Sequence, residues 1–319
     1  MIKQNGITLL VILSFFVDLK GAEIDESELA LHHFMQGEFL MNQGNYALAV
    51  LEFQDAVDLD PNAATIHVSL ADAYRKLGKI KRSENHLKIA IELDPDEIEA
   101  QEMLAEIFIK KKDYNAAKIV FEKLHDIDAN NLDYIFALAD LARIQKNWEL
   151  AISYYIEAYN TNSIAINGLE QALQIAIATN DFLKAEEICN YFLKEDSDNS
   201  KILLTLKDLS LFNENYEAAI KAINKLEEIN GNSPELSIQK SAIFEKLEDQ
   251  KQAIDVLLQS FENDSNNIDI LNSLVNLFID QKNIEQAVMY NEKILSIFPD
   301  DPRGYVNTAI IAMSNKNYL

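Results

Sequence analysis

Apolar and polar positions along this chain follow the period of an amphipathic helix, in stretches of about 13 residues separated by short polar breaks. Segments such as Asn42-Gln43-Gly44-Asn45 and Asp60-Pro61-Asn62 supply the breaks. Set in windows of 34 residues from Ala30, the pattern runs through Asp301 without an insertion, and a ninth window opens at Pro302. The twentieth place of the eight whole windows holds Ala49, Ser83, Ala117, Ala151, Ala185, Ala219, Ala253 and Ala287. Alanine is a common residue, but its recurrence at one spacing with a single exception is a packing constraint.

Other columns keep the same register. Three places before the alanine stand Tyr46, Ile80, Tyr114, Trp148, Phe182 and Tyr216; four places after it stand Phe53, Leu87, Phe121, Tyr155, Cys189, Ile223 and Leu257. Leu70-Ala71, Leu104-Ala105 and Leu138-Ala139 recur earlier in the windows, and Pro61, Pro95 and Pro299 close three of them. Each window therefore predicts a hairpin of two helices, with a small column for close approach and an aromatic column at the flank. One hairpin cannot bury its apolar faces alone, so neighbours must stack into a continuous core.

This pattern resembles the tetratricopeptide repeat, whose period it shares. The resemblance spans residues 30–319 and is strongest in the first three windows, where LEFQDAVDLDP and LKIAIELDP stand nearly as the family writes them. It weakens at Lys207, Lys240, Gln250 and Asn291, which occupy places where the family has small, apolar or aromatic residues. It implies an all-α fold, an α-solenoid in which stacked hairpins form a right-handed superhelix with a concave inner face. The expected organisation is eight repeats over 30–301 and the first helix of a ninth over 302–319.

The start of the chain departs from this pattern. Lys3 is followed by the apolar run Ile7–Val17, the small pair Gly21-Ala22 and the acidic segment 23–29. That order predicts a signal peptide over 1–22 and an exported, periplasmic or secreted protein. The run is too short to span a bilayer as a helix, although an uncleaved segment would associate the protein with a membrane. The formal charge of −24 opposes contact with nucleic acid and with anionic lipid. The single cysteine, Cys189, excludes an internal disulfide and multi-cysteine metal motifs.

No catalytic, phosphate-binding or metal-binding motif stands in the chain, so neither enzyme activity nor a cofactor is expected. His32 and His33 are adjacent, and on a helix they point to different faces. Cys189 and Trp148 read as core residues. In the resembled family the first helix of each hairpin lines the groove. There, Glu38, Asp72, Glu106, Asp140, Gln174 and Asp208 stand at one place, with Phe34, Val68, Glu102, Phe136, Glu170, Leu204 and Ile238 one turn earlier, a mostly apolar strip. An acidic ladder beside an apolar strip suits an extended or helical segment with basic and apolar residues. Alternatively the ladder is a solvated face in which Asp72 pairs with Arg75, Glu106 with Lys110 and Asp140 with Arg143. Asn272, Asn276 and Asn307 also fall at groove places, but the basic partners of the family's carboxylate clamp are missing.

These readings favour a non-enzymatic scaffold that binds a protein or peptide partner. The alternatives are the substrate-docking arm of a larger enzyme, such as a glycosyltransferase or peptidase, and a cytosolic co-chaperone, which the leader and the missing clamp oppose. The apolar stretch Ala309–Met313 and the absence of a second helix after Tyr318 lead us to expect that the natural chain continues.

Overall fold

A computed structural model describes residues 25–316, and the proposed leader lies outside them. Among the described residues there are seventeen α-helices and no strand. By its contacts the chain divides after Lys146 into two compact units. The first holds α1 (Glu26–Asn42), α2 (Tyr46–Leu59), α3 (Ala64–Lys76), α4 (Ile80–Leu93), α5 (Ile98–Lys110), α6 (Tyr114–Ile127) and α7 (Leu132–Ile144). The second opens with α8 (Trp148–Thr161), α9 (Ile166–Ala178), α10 (Phe182–Glu195), α11 (Ser200–Phe212) and α12 (Tyr216–Asn230). It closes with α13 (Pro234–Lys246), α14 (Gln250–Asn263), α15 (Ile268–Asp280), α16 (Ile284–Ile297) and α17 (Pro302–Lys316). Within each unit every helix packs on the next in sequence. Each unit is thus a stack of antiparallel hairpins, an all-α solenoid.

The turns explain why the helices stop where they do. At Gly44, Gly78, Lys112, Lys146, Asn180, Glu214, Glu248 and Lys282 the backbone enters the left-handed region, with φ between 56° and 75°. The next amide then reaches back to a carbonyl five residues earlier, as Asn45 does to Leu40 and Asp113 to Phe108, both at 2.9 Å. These bonds satisfy carbonyls that the helix end would otherwise leave bare. The following residue starts the next helix: the side chains of Asp113, Asn147, Asp181, Asn215, Asp249 and Asn283 each cap an amide three residues on. At the other end of the hairpins, Asp60, Asp94, Asp128, Asn162, Asp196 and Asp264 accept from the amide two residues later. Such turns give the chain a sharp exit that needs no proline.

The core follows the alanine column. All seven alanines and Ser83 are completely enclosed, because two helices cross there with room for one carbon. The places that break the pattern in the second unit carry polar links instead. Lys207 is buried, its Nζ donating to Gln239 at 2.8 Å and lying 3.0 Å from Asp208. Lys240 on α13 meets Glu227 on α12 at 2.8 Å. The Asn291 amide donates to the Gly304 carbonyl and to the Thr308 hydroxyl, both at 2.9 Å, and ties α16 to α17. The amino groups of Lys207 and Lys240 and the amide nitrogen of Asn291 are thus paired, as burial demands, while Asn291 Oδ1 is buried without a partner among the described residues and Gln250 is exposed. Trp148 departs from its expected place in the core: it is 39% exposed, since it is the first residue of α8 and its ring sits at the helix end.

Candidate functional site

The residues expected to line a groove sit on first helices, and in the first unit two of the acidic ones, Glu38 and Asp72, act on one further carboxyl, that of Glu99 on α5. Its carboxyl is pushed up by partial burial and then by the charges of Glu97, Asp72, Glu38 and Glu102. Glu38 belongs to α1 and Asp72 to α3, so three first helices contribute to one negative region.

Parts of this region are already engaged. The Arg75 guanidinium meets the Asp72 carboxylate at 2.6 Å and lies 3.5 Å from Glu106 on α5. Glu106 also stands 3.8 Å from Lys110, and Asp140 lies 3.1 Å from Arg143. The Tyr134 hydroxyl donates to Glu102 at 2.6 Å; burial and that bond push the phenol up to about 12. The solvated-face pairings are therefore formed, and the acidic excess beyond them rests on Glu38, Glu97 and Glu99. Phe34 is half-buried, its ring 5.9 Å from that of Phe53, while Phe136 is half-buried on α7.

Two candidates do not face solvent. Val68 is 3% exposed and packs with Ala71, Leu87, Met103 and Leu104, because α3 is pressed between α4 and α5 at that place. Asn307 is 4% exposed, and its amide donates to Asn272 at 3.0 Å. That bond engages the Asn272 oxygen; Asn272 is half-buried, and Asn276 is exposed on the same helix. Leu204 and Asp208 are exposed on α11 of the second unit.

Cys189 is fully enclosed, and burial pushes its thiol up to about 12, with Glu186 adding to the effect. No thiolate forms there near neutral pH. The rings of His32 and His33, expected on different faces, meet edge to face with centroids 5.9 Å apart. His33, however, turns toward α2: its Nδ1 lies 2.8 Å from a Glu52 oxygen, and Asp55 stands one turn further along that helix. Donor atoms of His33, Glu52 and Asp55 all fall within 4.8 Å of one another. This grouping escapes a search for sequence motifs because its members belong to different helices. A signal for it does exist in the repeat. His67 and His86 occupy the same two places one window later, and their Nδ1 atoms are 3.0 Å apart. No helix of the described residues is long and apolar enough to cross a membrane.

Known proteins are similar to parts of this chain. Family models described as tetratricopeptide repeat match residues 40–107 and 98–131. RNA polymerase II-associated protein 3 of Xenopus laevis is 25% identical over 173 residues, 53% of this chain and 26% of that protein. Superkiller protein 3 of Schizosaccharomyces pombe is 21% identical over 233 residues, 70% of this chain and 17% of its own length. The chain thus spans about a quarter or less of these relatives. Among solved structures, MamA aligns over 55% of this chain and 95% of its own, at 17% identity and a TM-score of 0.46. A tetratricopeptide repeat protein from Parabacteroides merdae aligns over 78% and 98%, at 14% identity and a TM-score of 0.45.

Proposed function

We propose that this chain, whose repeats are of the tetratricopeptide type, is a non-enzymatic interaction scaffold whose first unit receives an extended or helical protein segment with basic and apolar residues. The repeats support the scaffold role itself; the chemistry of the segment is our own reading. It rests on one observation: Glu38 of α1 and Asp72 of α3 stand near enough to Glu99 of α5 that their charges, with those of Glu97 and Glu102, add to the rise that burial of that carboxyl begins. An incoming arginine or lysine relieves this repulsion, and the half-buried ring of Phe34 offers an apolar contact beside Glu38. Ion pairs at such a face contribute to selectivity and association rate more than to affinity.

The test is a binding titration of labelled peptides about four helical turns long, one set rich in Arg, Lys and Leu and one rich in Glu and Leu. The basic set is expected to bind more tightly, with affinity falling as salt rises. Glu38→Lys, Asp72→Lys and Asp140→Lys together are expected to weaken that binding at least about tenfold and to remove its salt dependence. Unchanged binding in the triple variant sinks the reading.

Export is a separate part of the proposal and rests on the order Lys3, Ile7–Val17, Gly21-Ala22. Intact mass of the endogenous protein from fractionated cells checks it. Loss of residues 1–22 in an exported fraction supports export, and an unprocessed N-terminus in the cytosolic fraction refutes it.

A further inference from the structure

The first hairpin lacks cationic side chains of its own. From Gly21 to Tyr74 there is neither lysine nor arginine, while ten carboxylates stand in the same stretch, Glu52 and Asp55 among them. Among the described residues no lysine or arginine pairs with Glu52 or Asp55. The group that does approach them is the imidazole of His33.

We propose that His33, Glu52 and Asp55 form a binding site for a divalent transition metal of the zinc type, which clamps α1 to α2. The donor set is one imidazole nitrogen and two carboxylate oxygens, brought within 4.8 Å of one another by the hairpin. Imidazole suits zinc, nickel and copper, whereas calcium and magnesium take oxygen ligands alone. Three protein ligands with a fourth position open to water is a familiar zinc arrangement. The 4.8 Å spread exceeds the ~3.3 Å between ligands that bonds of about 2.0–2.1 Å give in a tetrahedron. Asp55 is exposed, so a rotamer change at that side chain closes the difference.

The hairpin also pre-orients the ligands. His33 and Glu52 oppose each other across the helix pair at 2.8 Å, with side chains 26% and 30% exposed, so metal and water can reach them. Asp55 follows Glu52 by three residues, on the same side of α2. The next hairpin puts His67 and His86 at the equivalent places, where the His67 Nε2 is held by the Pro61 carbonyl at 3.0 Å and no carboxylate joins the pair. The metal is therefore specific to the first hairpin. Bound there, it cancels the charge of both carboxylates and links the two helices at their seam.

The experiment is calorimetric titration of the full chain, without a histidine tag, with Zn²⁺, followed by Co²⁺ titration in the visible range. We expect one Zn²⁺ per chain with a Co²⁺ absorption band of low coordination number. His33→Ala and Asp55→Asn are each expected to weaken the site at least about tenfold and to erase the band. Asp55→Asn leaves the His33–Glu52 contact in place, so it separates a metal site from a simple ion pair. Asp55 is exposed, so its far-UV circular dichroism should match wild type, which distinguishes loss of metal from loss of fold. Ca²⁺ and Mg²⁺ are expected to show only weak binding that neither variant alters. Zn²⁺ binding equal in wild type and both variants, or a Co²⁺ spectrum no different from the hydrated ion, overturns the proposal and leaves an ordinary ion pair on an acidic surface.

Discussion

Ser83 interrupts an otherwise unbroken column of enclosed alanines, and the consequence is measurable. Its hydroxyl is fully buried in α4 without a hydrogen-bond partner among the described groups. A buried hydroxyl left unpaired costs about 1–3 kcal/mol, and serine is a poorer helix former than alanine by roughly 0.5 kcal/mol. Ser83→Ala keeps the carbon that fills the crossing and removes only the oxygen, so no sizeable cavity opens. The expected gain is about 1–2 kcal/mol. Thermal unfolding followed by circular dichroism should show Tm rising by roughly 2–6 °C. Repeat arrays need not unfold in one step, so amide exchange over Ile80–Leu93 is the sharper assay. Protection there should rise by about tenfold, the equivalent of about 1.4 kcal/mol. The reverse change, Ala117→Ser, places the same oxygen in the same kind of crossing and should lower protection over α6 by a similar factor. A lower Tm or faster exchange in Ser83→Ala refutes the reasoning, since it means the hydroxyl makes a bond worth more than its burial costs.

Three further outcomes follow from the same geometry. Gly37→Ala should destabilise by about 1–2 kcal/mol despite alanine's better propensity, because the new carbon meets the Phe53 ring at 2.5–2.9 Å; chemical denaturation reads the loss, and Phe53→Leu should recover part of it. Lys112→Gly should stabilise by about 1 kcal/mol, as glycine accepts the φ of 61° there without strain; an unchanged or lower denaturation midpoint counts against this account of the turn. Stability should fall in two stages on acidification. Burial, then the charges of His67 and Arg82, hold His86 below its ordinary 6.5, so the fold is fully stable above that value and weakens as pH drops through it toward the folded one. Burial alone would raise Glu84, but bonds from Lys111 and Lys88 outweigh it and hold the carboxyl below its ordinary 4.5; that contribution is present above 4.5 and is lost as pH falls further. Tm measured against pH should show both stages, and His86→Leu should flatten the upper one.

Much of the architecture is legible in the chain itself, and the reason is translation along it. A hairpin that stacks on copies of itself must repeat its contacts at one spacing, so the recurrence of Ala49, Ala117 and Ala151 is enough to mark a helix crossing. The asparagines and aspartates that cap or turn the chain recur for the same reason. The helix ends are less visible. Lys112, Lys146, Glu214, Glu248 and Lys282 adopt the left-handed backbone of Gly44, yet nothing in a lysine or glutamate signals it; the place in the repeat imposes the conformation against their preference.

The candidate site is legible in outline only. The 34-residue register puts Glu38 of α1 and Asp72 of α3 at the same place of successive first helices, since stacked repeats keep one spacing. It cannot tell that Val68 faces inward under the next hairpin, that Asn307 is spent on Asn272, or that Arg75 spans to Glu106. Exposure depends on what the neighbouring helices carry, and that varies from one hairpin to the next even where the register does not. The meeting of His33 with Glu52 and Asp55 belongs to the same class. Periodicity along the chain determined that helices pair and where their small residues lie; only the packing of α1 against α2 decided which side chains meet across that pair, because nineteen residues separate His33 from Glu52 and the distance between them closes through the tertiary fold.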